Sequence, residues 1–353
     1  MKIAVYTIAL NEIKHAERWA LANKDADYLI VADTGSTDGT VEKLKELGVT
    51  VFDIRVKPWR FDDARNVALS LVPADADACI SCDMDELMAP GWRAELEKHW
   101  VPGTTKLRYT YVYSFDHEDQ PLHSFMADKL HSRFGYRWQR PVHETIFPTA
   151  DEQIVTAPSV VMWHKQDREK SRGQYLPLLE MCHKEFPNCS QTCYWLAREY
   201  HYAGQNEPSI EHFKKYLAMP EAGWADERSE AMKHLSQLLP HEKLKWLRMS
   251  ATESPTRREA WMNLADHYYS EGDWPNVYAS AKEGLKITNP SGSYLDYPHA
   301  WGGHLWDLAG LGAWNLGLKE ESYELFKKAV EVEPENGRFI GNFEFVKNHL
   351  NKE

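Results

Sequence analysis

The chain has 353 residues, 43% of them hydrophobic and 12% aromatic, enough for two compact units with separate cores and too apolar for a disordered chain. Its 53 acidic against 41 basic side chains leave a formal charge of -12, which argues against a broad electrostatic grip on nucleic acid because that requires a basic face to displace counterions. No apolar run approaches the roughly 18 to 20 residues that cross a bilayer, and an odd five cysteines without a secretion-type leader predict a cytoplasmic protein free of disulfides.

In the first half, short apolar runs alternate with amphipathic stretches. Residues 2–8, 28–32, 49–54 and 78–82 predict strands, while 13–22, 41–47 and 62–71 carry helical spacing. That order predicts an α/β domain, a mixed but mostly parallel sheet with crossover helices, over residues 1–168. Gly48 after Leu47 marks a helix stop, and Thr37 or Asp38 ahead of Val41 a helix start. Cys79 and Cys82 fall inside a predicted strand, which leaves no tight turn for a zinc or redox pair and predicts buried thiols. Beyond Gly103, residues 106–115 read as a longer strand, and residues 116–158 as irregular, aromatic, substrate-facing loops.

Two strand ends carry candidate chemistry. The second predicted strand runs into Asp33-Thr34-Gly35-Ser36-Thr37-Asp38-Gly39-Thr40, a carboxylate followed by a glycine-containing turn and a helix start, the way an open α/β sheet offers polar groups to a nucleotide. Asp38 is placed to cap the helix, whereas Asp33 at the strand end is placed to accept hydrogen bonds from a base or ribose. The fourth strand runs into Asp83-Met84-Asp85-Glu86. Three carboxylates in four residues repel one another unless a cation sits among them, and oxygen ligands suit Mg²⁺ or Mn²⁺ bridging to a substrate diphosphate. The other reading of such a cluster is a solvated strand end.

From residue 169 to 353 the pattern is helix after helix. Leu196-Ala197, Tyr200 and Gly204 recur as Leu264-Ala265, Tyr268 and Gly272, a spacing of two tetratricopeptide periods of about 34 residues each. A last unit repeats the small and aromatic positions at Trp306, Ala309-Gly310, Ala313, Gly317, Phe326, Ala329 and Pro334. The stretch 227–255 fits weakly, and roughly 11 extra residues around 289–298 interrupt the period. Small residues let paired helices approach while aromatics fill the space between pairs, so the stripe is expected to be mainly core. Such an array stabilises the first domain or offers a groove to a partner or acceptor.

Taken together, Tyr6-Thr7-Ile8-Ala9-Leu10-Asn11-Glu12, the Asp33 turn, Phe61-Asp62-Asp63-Ala64-Arg65-Asn66 and Asp83-Met84-Asp85-Glu86 resemble, in order and spacing, the family 2 glycosyltransferases of GT-A fold, in particular bacterial and phage members that carry tetratricopeptide-like helices. The resemblance implies a metal-dependent, inverting transfer of sugar from a nucleoside diphosphate, with a UDP-sugar as expected donor, to a hydroxyl on a glycan, a lipid-linked sugar, a protein or modified nucleic acid, the last disfavoured by the acidic charge. It implies a nucleotide site made of Thr7, Asn11, Glu12, Asp33, Arg65, Asp83 and His143. It implies Asp85, Asp83 and His164, at the end of Val160-Val161-Met162-Trp163-His164, as ligands of Mn²⁺ or Mg²⁺. It also implies Glu144, within Trp138-Gln139-Arg140-Pro141-Val142-His143-Glu144, as the general base. Asp116 and Asp128 are rivals for that role; the bland alternatives are Glu144 paired with Arg140 or Arg137, and Arg65 paired with Asp62 or Asp63. Thr34 departs from the common family pattern, which has a second Asp there, so Asp33 alone would read the base. A non-catalytic repeat protein with a degenerate nucleotide domain is the contrasting reading.

Overall fold

In a computed structural model that describes residues 1–166 and 173–350, the chain divides into two compact units, Met1–Pro187 and Asn188–Glu353. The expected domain boundary at 168 lies outside the described residues. The first unit opens with β1 (Ile3–Ala9), α1 (Ile13–Ala22), β2 (Tyr28–Asp33), α2 (Thr40–Glu46), β3 (Thr50–Asp53), α3 (Phe61–Ser70) and β4 (Ala78–Ser81). It continues with β5 (Glu86–Met88), α4 (Trp92–His99), β6 (Lys106–Phe115), β7 (Pro121–Ser132), β8 (Tyr136–Gln139), β9 (Thr145–Pro148), β10 (Ile154–His164) and α5 (Tyr175–Glu185).

Eight strands form one mixed sheet in the order β3-β2-β1-β4-β7-β6-β10-β5, and β8 pairs with β9 in a separate ribbon. Alternation along β1 explains why the sheet is covered on both faces. Ile3 and Val5 join one apolar cluster with Trp19 and Leu44, while Ala4 and Tyr6 join a second with Ala64 and Ala68, as a period of two requires. Strands β1, β2, β3 and β4 are mutually parallel; β7 inserts antiparallel between β4 and β6, and β10 lies parallel to β6. The carboxyl ends of β1, β2, β4, β6 and β10 therefore share one edge.

Residues 116–158, expected to be irregular, instead hold β7, β8, β9 and the start of β10. The disguise is physical: β7 carries Asp128, Lys129 and His131 among its apolar positions, and Lys129 and His131 are turned to partners inside the sheet rather than to water, which breaks the alternation that marks a half-buried strand. Cys79 and Cys82 are buried free thiols as expected, and burial pushes the Cys79 thiol up to about 12.

The second unit is helical. The pairs are α6 (Ser190–Tyr202) with α7 (Asn206–Ala218), α8 (Ala225–Leu238) with α9 (Lys243–Glu253), α10 (Arg258–Glu271) with α11 (Trp274–Leu285) and α12 (His304–Asn315) with α13 (Lys319–Val332), followed by α14 (Gly337–Leu350). The predicted stripe is core: Leu196, Ala197, Leu264, Ala265, Tyr268, Ala309, Ala313, Phe326 and Ala329 are buried. A Cβ on Gly310 would meet the Phe326 ring at 2.8 Å, so the small residue is what lets α12 and α13 approach. The weakly patterned stretch forms α8 and α9, and the extra residues lie between α11 and α12.

Candidate active site

Along the shared strand edge, the end of β2 is the most closely built. Asp33 is 3% exposed; its Oδ2 accepts the N–H groups of Gly35 and Ser36 at 2.9 and 3.0 Å. Its Oδ1 is buried with no hydrogen-bond partner among the described residues, a costly state for a carboxylate oxygen unless a ligand completes it. Asn11 sits at a positive φ of 56° and ties the turn to β1: its Oδ1 accepts the Thr37 N–H, and its own N–H donates to Ser36 Oγ, both at 2.8 Å. Thr7 is buried, its hydroxyl donating to the Ile8 carbonyl at 3.2 Å. Glu12 belongs to the start of α1, its N–H bonded to Thr40 Oγ1 at 2.8 Å and its carboxylate 3.9 Å from His15 Nε2. Asp38 accepts the N–H of Thr40 and of Ile13, the first residues of α2 and α1, at 3.0 and 3.1 Å, although the N-cap of α2 is Gly39 and not Asp38 as expected. Burial opposes its charge, but those bonds prevail and hold its carboxyl below the usual range.

The segment after β4 is held by an ion network. Arg65, buried on α3, forks Asp83 through Nη1 and Nη2 at 2.7 and 3.1 Å and donates from Nε to Glu144. Lys129 of β7 donates to Asp83 Oδ2 at 3.2 Å and to Glu86 Oε1 at 2.7 Å. Glu86, 2% exposed, also accepts the Tyr111 hydroxyl and the Asp83 N–H, each at 2.8 Å. Burial works to raise the Asp83 pKa, yet Arg65 and Lys129 outweigh it and hold the carboxyl well below the usual range. Burial likewise opposes the Arg65 charge, and Asp83 with Glu144 more than restores it. The repulsion expected within Asp83-Met84-Asp85-Glu86 is thus relieved at Asp83 and Glu86 by two protein cations.

Both bland pairings are replaced by this network. Asp62 is taken by Arg60 in a two-pronged contact at 3.0 and 3.0 Å, and Glu144 pairs with Arg65 rather than with Arg140 or Arg137. The rival bases are engaged elsewhere: Asp116 accepts the N–H groups of Glu118 and Gln120 in a turn, and Asp128 stands 3.5 Å from Lys106.

Of the expected metal ligands, the structure brings Asp85 and His164 together, with Asp85 Oδ2 3.6 Å from His164 Nε2. Asp83 is instead turned to Arg65 and Lys129. Among the described residues no group of three or more His, Cys, Asp or Glu side chains is gathered for a metal. The oxygen and imidazole pair fits a borderline cation such as Mn²⁺ better than Mg²⁺, and His164 Nδ1, buried with no hydrogen-bond partner among the described residues, lacks the carboxylate or carbonyl that normally orients a metal-binding imidazole. His164 lies against Tyr111 and Tyr113, ring centres 5.7 and 5.4 Å away. His143, at φ 50°, packs on Tyr175 of α5 at 5.6 Å.

Two contributors lay outside the sequence expectation. Lys129 offers no local signal, since only the pairing of β7 with β4 brings it to Asp83. Asn66 stands inside a quoted motif without an assigned role; its amide clamps the backbone of Trp138, donating to the carbonyl at 2.8 Å and accepting the N–H at 2.9 Å. Trp138 in turn donates to the Tyr6 hydroxyl at 2.8 Å and lies under Arg65, 5.2 Å from its guanidinium. This clamp holds the segment leading to Glu144 against α3.

Comparison with known proteins bears on the second unit. Residues 304–336 match the tetratricopeptide repeat family, over α12 and α13. The chain is similar to a thermophilic tetratricopeptide protein of Thermus thermophilus at 20% identity, covering 48% of this chain and 88% of that one with a TM-score of 0.31. It is similar to MamA at 20% identity, 46% and 89% coverage and a TM-score of 0.33. A likeness to YrrB, a tetratricopeptide protein described as having an unusual peptide-binding site, stands at 14% identity, 50% and 82% coverage and a TM-score of 0.33. No curated protein matches the chain. The first unit is an α/β domain on a mixed sheet, and the second an array of tetratricopeptide-like helix pairs.

Proposed function

We propose that the first unit is a metal-dependent inverting glycosyltransferase of GT-A fold, resembling family 2, that uses a nucleoside diphosphate sugar. The expected donor is a UDP-sugar, and the expected acceptor a hydroxyl on a glycan, lipid-linked sugar or protein. The observation that carries the reading is the convergence of Asp33, Asp85 and His164, distant in sequence, on the carboxyl edge of one sheet, with Arg65 joining Asp83 to Glu144. A ligand in an open α/β sheet binds at that edge.

Each side chain then has a physical task. Asp33 Oδ1, buried and lacking a partner among the described residues, accepts an N–H of the base, beside Thr7, Asn11 and Glu12. Asp85 and His164 would hold Mn²⁺ or Mg²⁺, and the bound cation would supply positive charge to a leaving diphosphate. Arg65 keeps Asp83 ionised and sets its spacing from Glu144, leaving Asp83 to meet the ribose. Glu144 takes the acceptor proton while the acceptor oxygen bonds to the anomeric carbon and the bond to the diphosphate oxygen breaks. The test is Mn²⁺-dependent hydrolysis across a panel of nucleotide sugars. One donor is expected to turn over slowly without acceptor, with a loss of about 100-fold or more in Asp85→Ala; neither turnover nor binding with any donor would reject the reading.

A second reading, a non-catalytic repeat protein with a degenerate nucleotide domain, is favoured by one observation. Lys129 and Arg65 already neutralise Asp83, which a purely structural cluster would also need. It predicts that no nucleotide binds with or without Mn²⁺.

A further inference from the structure

We propose that the first unit contains an anion-binding site of its own, a cleft between the start of α3 and the turn that follows β8, in which Arg137 and Arg140 hold the phosphate of an organic phosphomonoester. The inference stands on these residues alone and holds whether or not the first unit transfers sugars.

The cleft has a volume of about 400 Å³, within the roughly 300 to 1,000 Å³ of ordinary small-molecule sites. Arg60, Asp62 and Asp63 line it from the start of α3, and Arg137, Gln139 and Arg140 from β8 and the turn beyond. That turn is held firmly. The Pro141 carbonyl accepts the Phe61 N–H at 3.0 Å, and Asn66 clamps both backbone groups of Trp138 at 2.8 and 2.9 Å. Arg140 itself stands at a φ of 84°, a left-handed conformation that a side chain of this size rarely adopts. Such strain persists where the surroundings impose it, and it gathers at ligand sites. The Arg140 guanidinium rests against the Phe147 ring, 5.5 Å from its centre, which fixes its direction.

The charges of the lining divide into those the protein has answered and those it has not. Asp62, 4% exposed, is forked by Arg60 at 3.0 and 3.0 Å. The same guanidinium stands 3.7 Å from Asp63 and donates to Glu185 at 2.7 Å, so Arg60 is spent within the protein. Arg137 is not: it is exposed, and its side chain makes no hydrogen bond or ion pair with any described residue. With Asp62 buried, Asp63 is the open carboxylate of the lining, and Arg137 with Arg140 leaves the cleft an excess of positive charge.

That excess selects the ligand. Two guanidiniums present forked N–H donors that match phosphate oxygens, and a phosphomonoester carries about two negative charges at neutral pH, where a carboxylate carries only one. Gln139 adds an amide able to donate to a further oxygen. Phe186, 37% exposed, also borders the cleft and offers an apolar surface to the organic part of the ester, which inorganic phosphate would leave unused.

The test is calorimetric titration of the full chain with phenyl phosphate in a buffer containing a metal chelator, which keeps metal-dependent nucleotide binding out of the readout. Phenyl phosphate is expected to bind the parent protein, about tenfold more weakly in Arg137→Gln and in Arg140→Gln, and undiminished in Asp85→Ala. Benzoate, with the same ring and a single charge, is expected to bind about tenfold more weakly than phenyl phosphate. Because Arg137 is exposed, Arg137→Gln should unfold thermally with the parent protein, which separates a lost contact from a lost fold. No binding of phenyl phosphate, binding unchanged in both arginine variants, a loss in Asp85→Ala as large as theirs, or benzoate bound as tightly overturns the proposal.

Discussion

In the first unit Asp83, Glu86 and Glu144 each meet Arg65 or Lys129. In the second, Glu230 meets Arg257 and Lys233, whereas Glu227 is capped by the Tyr216 and Tyr294 hydroxyls and Glu259 accepts a backbone N–H from Tyr297. Burial raises the pKa values of Glu227 and Glu259; the tyrosine hydroxyls at Glu227 and Arg257, 3.8 Å from the Glu259 carboxylate, only partly oppose it. Burial also works against Asp83 and Glu230, but the cations beside them prevail and hold both carboxyls low. Asp83 and Glu230 therefore keep their charge to lower pH than a free carboxylate, while Glu227 and Glu259 carry a proton more readily.

Removing a cation breaks the comparison most severely. Arg257→Met leaves the buried Glu230 with Lys233 as its remaining cation and is expected to cost about 4 kcal/mol, read as a lowered urea midpoint. Lys129→Met leaves Glu86 and Asp83 undercompensated at a wetter site and is expected to cost about 3 kcal/mol. Mn²⁺ should recover part of that loss, since a ligand bound only by the folded state raises its stability; no recovery would mean that the cation does not reach Asp83.

Smaller changes sharpen the contrast. Tyr294→Phe takes one hydroxyl from Glu227 and should cost about 2 kcal/mol in chemical denaturation. Asn66→Ala frees the Trp138 backbone at a cost of about 1 kcal/mol, and under the proposed function the transfer rate should fall by more than the stability does because Glu144 follows that segment.

The pH profile separates the two kinds of carboxylate. Because folding raises the Glu227 and Glu259 pKa values, their contribution is complete below the ordinary value of 4.5 and is lost as pH rises through the folded values. Asp83 and Glu230 contribute above their ordinary values of 3.8 and 4.5, and lose that contribution as pH falls through their depressed folded values. The double variant Glu227→Gln, Glu259→Gln should therefore lose less thermal stability than the parent between about pH 5 and about pH 8.

Legibility in the sequence followed how local the physics was. The parallel strands and their capping turns were readable because Ile3, Val5, Gly48 and Asp38 act on near neighbours. The repeat was readable because its period recurs, as the match at 304–336 bears out. β7 was hidden because Lys129 and His131 answer partners just beyond β4 and on β1, and α5 was not singled out from the helical pattern although it belongs with the first unit. The acidic segment at 83–86 was visible, but its counter-charges were not, since they come from α3 and β7.

The most direct test of the central claim is calorimetric titration of the full chain with uridine diphosphate, with and without Mn²⁺, beside Asp85→Ala. Binding is expected to strengthen at least tenfold with Mn²⁺ in the parent protein and to lose that enhancement in the variant. Mn²⁺-independent binding, or identical titrations for the two proteins, would contradict it.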